Sequence, residues 1–110
     1  MINEKELMKD LETIELEIGS VDTGWRKIRF VGKEVAGDSF TYIYLGRHGR
    51  ILVCFDKATE CYYELFDSFE DLKQTFDEHL KETGEYLFPV EIMVEAAEAL
   101  GEEYVEKIEL

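Results

Sequence analysis

Four glutamates late in the chain, Glu91, Glu95, Glu98 and Glu102, recur at spacings of 4, 3 and 4. On an α-helix this spacing puts the carboxylates on one face. Like charges so arranged repel by a few tenths of a kcal/mol per pair. The face has two readings. It docks a basic partner, or it is the solvated outer face that amphipathic helices routinely carry. Asp77 and Glu78 are weaker candidates for the same contact. A calcium or magnesium site is not expected. Such sites usually gather oxygens from a loop, as in the EF-hand pattern, and the sequence has no such loop.

The other reactive residue types show no catalytic spacing. Cys54 and Cys61 lie close in sequence, but His48 and His79 are not at zinc-ligand spacing to them. Ser20, Ser39 and Ser68 fall at turn or cap positions, outside any G-x-S-x-G context. There is no phosphate loop and no G-x-G-x-x-G run. Asp67, Glu70 and Asp71 cluster at a helix start, where the helix dipole accounts for them without acid–base chemistry. The expectation is a non-catalytic protein with no cofactor and no metal.

Charge narrows the choice of partner. The chain has 110 residues and a formal charge of −14. Residues 26–50 carry six bases (Arg26, Lys27, Arg29, Lys33, Arg47, Arg50) against two acids, Glu34 and Asp38. Both flanks are acidic. Trp25, Phe30, Tyr42, Tyr44 and His48 lie among or near the bases, a mixture found in nucleic-acid readers. An acidic chain is repelled by polyanions, so direct nucleic-acid or membrane-surface binding is not expected. The simpler reading is internal: the basic strands neutralise the acidic helices. A basic protein partner is favoured.

These residues need elements to position them. Leu7, Leu11, Ile14 and Ile18 recur at 4, 3 and 4, and Asn3 with Glu6 forms a capping pair. They predict a helix over about residues 4–18, with Lys9, Glu12 and Glu15 on its other face and Glu17 near its end. Ile28 and Phe30 alternate with Lys27 and Arg29, as in a half-buried strand. Gly32 marks a bulge in that strand, and Ala36 to Ser39 is turn chemistry. Three further strands follow, at Phe40–Leu45, Ile51–Phe55 and Cys61–Phe66. If Asp56 to Thr59 is the last hairpin loop, Cys54 faces Cys61. The redox-compartment rule makes them two reduced thiols.

Ser68 and Asp71 cap a helix that carries Phe69, Leu72, Phe76 and Leu80 and stops at Gly84. Pro89 suits the first turn of another helix, which carries Met93, Ala97 and Leu100. Residues 102–110 read either as more helix, through Tyr104 and Ile108, or as a further strand. The predicted order is α-β-β-β-β-α-α. It is a single α+β domain over residues 1–110, with a four-stranded antiparallel meander between an N-terminal helix and two C-terminal helices. The start of the chain lacks a basic-then-apolar leader, and no apolar run is long enough to span a bilayer, so the expected compartment is the cytoplasm.

The segment from Ile51-Leu52-Val53-Cys54-Phe55-Asp56 through Cys61-Tyr62-Tyr63-Glu64-Leu65-Phe66 to Ser68-Phe69-Glu70-Asp71-Leu72 resembles the SUKH superfamily over about residues 51–80. The resemblance implies a small α+β fold. It also implies a bacterial immunity protein that binds and neutralises a toxin domain. Two alternatives stand beside it: a phage-type inhibitor that mimics nucleic acid in a nuclease groove, and a small enzyme with an unrecognised site.

Overall fold

The computed structural model describes residues 4–108 and 110. The elements in order are α1 (Glu4–Leu7), β1 (Glu12–Ser20), β2 (Gly24–Gly37), β3 (Thr41–Gly46), β4 (Ile51–Lys57), β5 (Glu60–Phe66), α2 (Phe69–Thr83) and α3 (Val90–Ala99). The fold is α+β, but the sheet is not a four-stranded meander. Five antiparallel strands follow one another around a closed barrel, β1-β2-β3-β4-β5.

The fifth strand comes from the segment expected to be helical. Only Glu4–Leu7 is helix, and Asp10 at φ 61° turns the chain out of it. The suggested cap at Asn3 lies outside the described residues. Two periods compete in this stretch. Leu7, Leu11, Ile14 and Ile18 fit a helix, while Ile14, Leu16 and Ile18 alternate with Glu15 and Glu17, as a strand requires. Pairing decides it. β1 runs against β2 along its whole length, from Glu12↔Gly32 to Ser20↔Gly24. The register sets Glu15 opposite Arg29 and Glu17 opposite Lys27, and opposite charges so placed favour the ladder.

Alternation along the strands divides the apolar residues into two layers. Ile18, Tyr44, Leu52, Cys54 and Cys61 form one buried cluster, with Ile14, Ile28, Phe30 and Tyr63 packed against it. It draws on all five strands and fills the barrel. Ile43, Leu45, Ile51, Val53 and Phe55 point the other way, onto Leu72 and Phe76 of α2 and Ile92, Met93 and Ala96 of α3. The bulge in β2 lies between Glu34 and Ala36 rather than at Gly32. Its extra residue allows neighbours Val35 and Ala36 both to join the helix-side core.

Capping chemistry sets the ends of α2. Ser68 Oγ accepts from the Asp71 amide at 3.2 Å, and Gly84 at φ 76° donates its amide to Leu80. Pro89 is the N-cap of α3 rather than a residue of its first turn. The last helix ends in a Schellman motif: the Gly101 amide reaches Glu98 O and the Glu102 amide reaches Ala97 O. Residues 102–108 then form neither helix nor strand. Tyr104 still reaches the core side, where its ring meets Phe76 edge-on and its hydroxyl donates to Asp77 at 2.8 Å.

The β4–β5 loop is shorter than expected. Lys57 pairs with Glu60, leaving Ala58 and Thr59 as a two-residue turn. Cys54 therefore sits opposite Tyr63, and Cys61 opposite Asp56. The register moves by an even number of residues, so the two cysteines keep the same face. They meet diagonally, with sulfurs 3.3 Å apart.

Candidate functional site

Glu91, Glu95 and Glu98 are exposed on α3, while Ile92, Met93, Ala96 and Ala97 turn inward. Val94 stands among the three glutamates at helical spacing and is 41% exposed. Among the described residues, none of the three carboxylates forms an ion pair or hydrogen bond. Glu102 is exposed as well, but it follows the left-handed Gly101 (φ 70°) and leaves the helical row. The expected stripe of four is therefore three on the helix and one beyond its cap. The last turn of α3 holds no basic residue. Glu98 thus faces the negative end of the helix dipole without a counter-charge, whereas Glu91, in the first turn, is favoured by the positive end.

Asp77 and Glu78 are exposed on α2 but already occupied. Asp77 accepts from Tyr104, and Glu78 Oε1 accepts from Gln74 Nε2 at 3.2 Å. Burial and the Asp77 contact together hold the Tyr104 phenol above its usual range. Lys73 reaches Glu70 at 3.0 Å, and Lys81 also interrupts the acids of α2. The structure does not bring Asp77 and Glu78 into one row with the α3 carboxylates by any contact.

The basic residues are partly neutralised at home, by a strand rather than by the helices. Glu15 of β1 takes Arg29 Nη2 at 2.7 Å and Lys27 Nζ at 3.4 Å. These partners, the Arg29 hydrogen bond first, hold the Glu15 carboxyl below the ordinary range. Arg50 meets Asp67 at 3.3 Å. Arg47 donates to the His48 ring at 3.2 Å and, among the described residues, has no carboxylate partner.

Both cysteines are buried and reduced. Burial pushes the Cys54 thiol up to about 12 and raises Cys61 as well. A thiol reagent attacks the thiolate, which is scarce at both positions. In the native protein both cysteines are expected to label at least about 100-fold more slowly than a free cysteine, with full labelling on denaturation. Rapid labelling without denaturant would show that this part of the barrel is open to solvent.

A second surface was not legible as a unit in the sequence. β1 and β5 pair only at Gly19↔Cys61 and Ser20↔Glu60. A groove of about 520 Å³ is lined by Thr13 of β1 and Leu65 of β5 together with residues of β2, β3, β4 and the β3–β4 turn. Phe30, Leu52 and Leu65 are part of its lining, and Leu65 is 47% exposed. Arg29, Arg47, His48 and Arg50 also line it. The alternation in residues 14–18 was the available signal, since a fifth strand there brings Thr13 and Leu65 to one opening.

Among the described residues, no group of three His, Cys, Asp or Glu side chains is placed to hold a metal ion. No described helix is long and apolar enough to cross a membrane. No family model matches the sequence, and comparison with curated proteins and with solved structures gives no match.

Proposed function

We propose that this chain is a small non-catalytic binding protein that docks a basic protein domain on the outer face of α3 and blocks it, as a bacterial immunity protein does to its toxin. One observation carries this reading. Glu91, Glu95 and Glu98 lie beside a half-exposed Val94 with no intramolecular counter-charge among the described residues, and Glu98 stands in the last turn, where a carboxylate costs the helix stability. Repulsion costs a few tenths of a kcal/mol per pair, and opposing the dipole costs about 0.3–1 kcal/mol. A basic partner relieves both, speeds encounter through complementary charge, and covers Val94. Mimicry of nucleic acid is less well supported, because the acids of α2 are interleaved with Lys73 and Lys81.

Glu98→Lys tests the cost directly. It should stabilise the free protein by about 0.3–1 kcal/mol in chemical denaturation. The pair Glu91→Lys and Glu95→Lys should slow association with a basic toxin or nuclease domain by about tenfold and flatten its dependence on salt. Stopped-flow mixing measures both effects. Unchanged association with the true partner would remove this face from the interface.

A further inference from the structure

The groove beside the β3–β4 turn differs in charge from the rest of the molecule. The chain has 26 acidic residues, and none of them lines it. Three of the chain's four arginines do, namely Arg29, Arg47 and Arg50, with His48 beside them. Glu15 and Asp67, which pair with Arg29 and Arg50, do not belong to the lining. Arg47 donates through Nε to His48 Nε2. Among the described residues its terminal nitrogens meet no acceptor. A guanidinium so placed has donors to spare for an anion.

The floor is apolar. Phe30 and Leu52 belong to the cluster that fills the barrel, and Leu65 pairs with Leu52 across β4 and β5. Alternation along β5 puts Leu65 on the same face as Cys61 and Tyr63, which is the barrel side. Leu65 is nonetheless 47% exposed. The filling of the barrel thus reaches the surface here. The volume of about 520 Å³ falls within the ~300–1,000 Å³ of small-molecule sites, which often lie in the mouths of β-barrels.

We propose that the groove binds an amphiphilic carboxylate, a small molecule with an apolar chain or ring and one anionic end. The apolar part lies on Phe30, Leu52 and Leu65 and covers the exposed leucine. The carboxylate meets Arg47, whose planar fork matches its two oxygens. One unpaired guanidinium suits one negative charge. Both parts of the ligand are needed, because an ion pair with an exposed arginine contributes little alone. A polyanion does not fit the same description. The acidic chain repels it along its length, whereas a single carboxylate needs only the local positive region. This surface is separate from the α3 face, so the proposal does not rest on the function above.

Calorimetric titration with unbranched carboxylates of about six to twelve carbons, each below its micelle concentration, tests it. Decanoate is expected to bind one to one with a Kd below about 1 mM. Affinity should rise about two- to fourfold per methylene until the apolar floor is covered. Amide shifts in two-dimensional NMR should centre on Phe30, Arg47 and Leu65. Arg47→Glu and Leu65→Asp should each weaken binding by at least about tenfold. Arg26→Glu makes the same charge change outside the groove and should leave binding unaltered. All three positions are exposed, and circular dichroism checks each variant for folding. Should Leu65→Asp misfold, Arg47→Glu and the chain-length series decide the matter. Absence of saturable binding overturns the proposal. So does a folded groove variant that binds as well as the parent, an equal loss on Arg26→Glu, or amide shifts centred elsewhere.

Discussion

Gly19→Ala is expected to destabilise the protein by about 3 kcal/mol or more, a large share of the total for a domain of this size. Gly19 sits where the barrel closes, opposite Trp25 on one side and Cys61 on the other. Its φ is +141°, a region that side chains rarely adopt, and a Cβ there would lie 2.1 Å from the carbonyl oxygen of Gly24. That neighbour is backbone and cannot rotate away. Relief requires β1 to move off the start of β2. Gly24→Ala is the matched control: its φ is +87°, but nothing lies within 4 Å of the added carbon. It should cost only the conformational penalty, about 1 kcal/mol. Denaturant melts of the two variants separate steric closure from backbone strain. Equal losses would mean that the close approach of Gly19 to β2 adds nothing to the backbone penalty.

Phe76→Ala should cost about 3–5 kcal/mol, the usual range for deleting a buried aromatic ring. Phe76 is 0% exposed. Its ring lies 4.9 Å from Phe88, 5.7 Å from Tyr86 and 5.6 Å from Tyr104. These three come from the α2–α3 connection and the segment after α3, which Phe76 joins alongside the Tyr86–Glu106 and Tyr104–Asp77 hydrogen bonds. The variant should therefore lose more than a cavity's worth of contact. Amide exchange across residues 102–108 is expected to accelerate relative to the barrel strands. A loss of less than about 1 kcal/mol would show that the site collapses freely around the missing ring.

Much of this architecture could be read from residue order. Ser68 and Gly84 bracket α2 because a hydroxyl cap and a left-handed stop have few other uses at that spacing. The apolar run from Ile51 to Phe55 reads as a central strand because it is buried on both faces. β1 was not legible for a definite reason. Its isoleucines satisfy a period of 3.6 and a period of 2 together, and the arbiter, Lys27 and Arg29 opposite two glutamates, lies on another strand. The α3 carboxylates were legible as an exposed face, but Gly101 takes Glu102 off it by a cap that periodicity does not register. The groove was hidden more deeply. Thr13 and Leu65 line it together, and only the closure of the barrel makes them neighbours.

That closure also orders events in time. Every other pairing in the barrel joins strands adjacent in sequence, through short hairpin turns. Hairpins form on the microsecond scale, because little chain entropy is lost in closing them. Joining Gly19 to Cys61 is different, since all of β2, β3 and β4 must already be in place between them. The two-rung seam is thus the last bond in the sheet to form. Having the least pairing to lose, it is also the first to open in the native state.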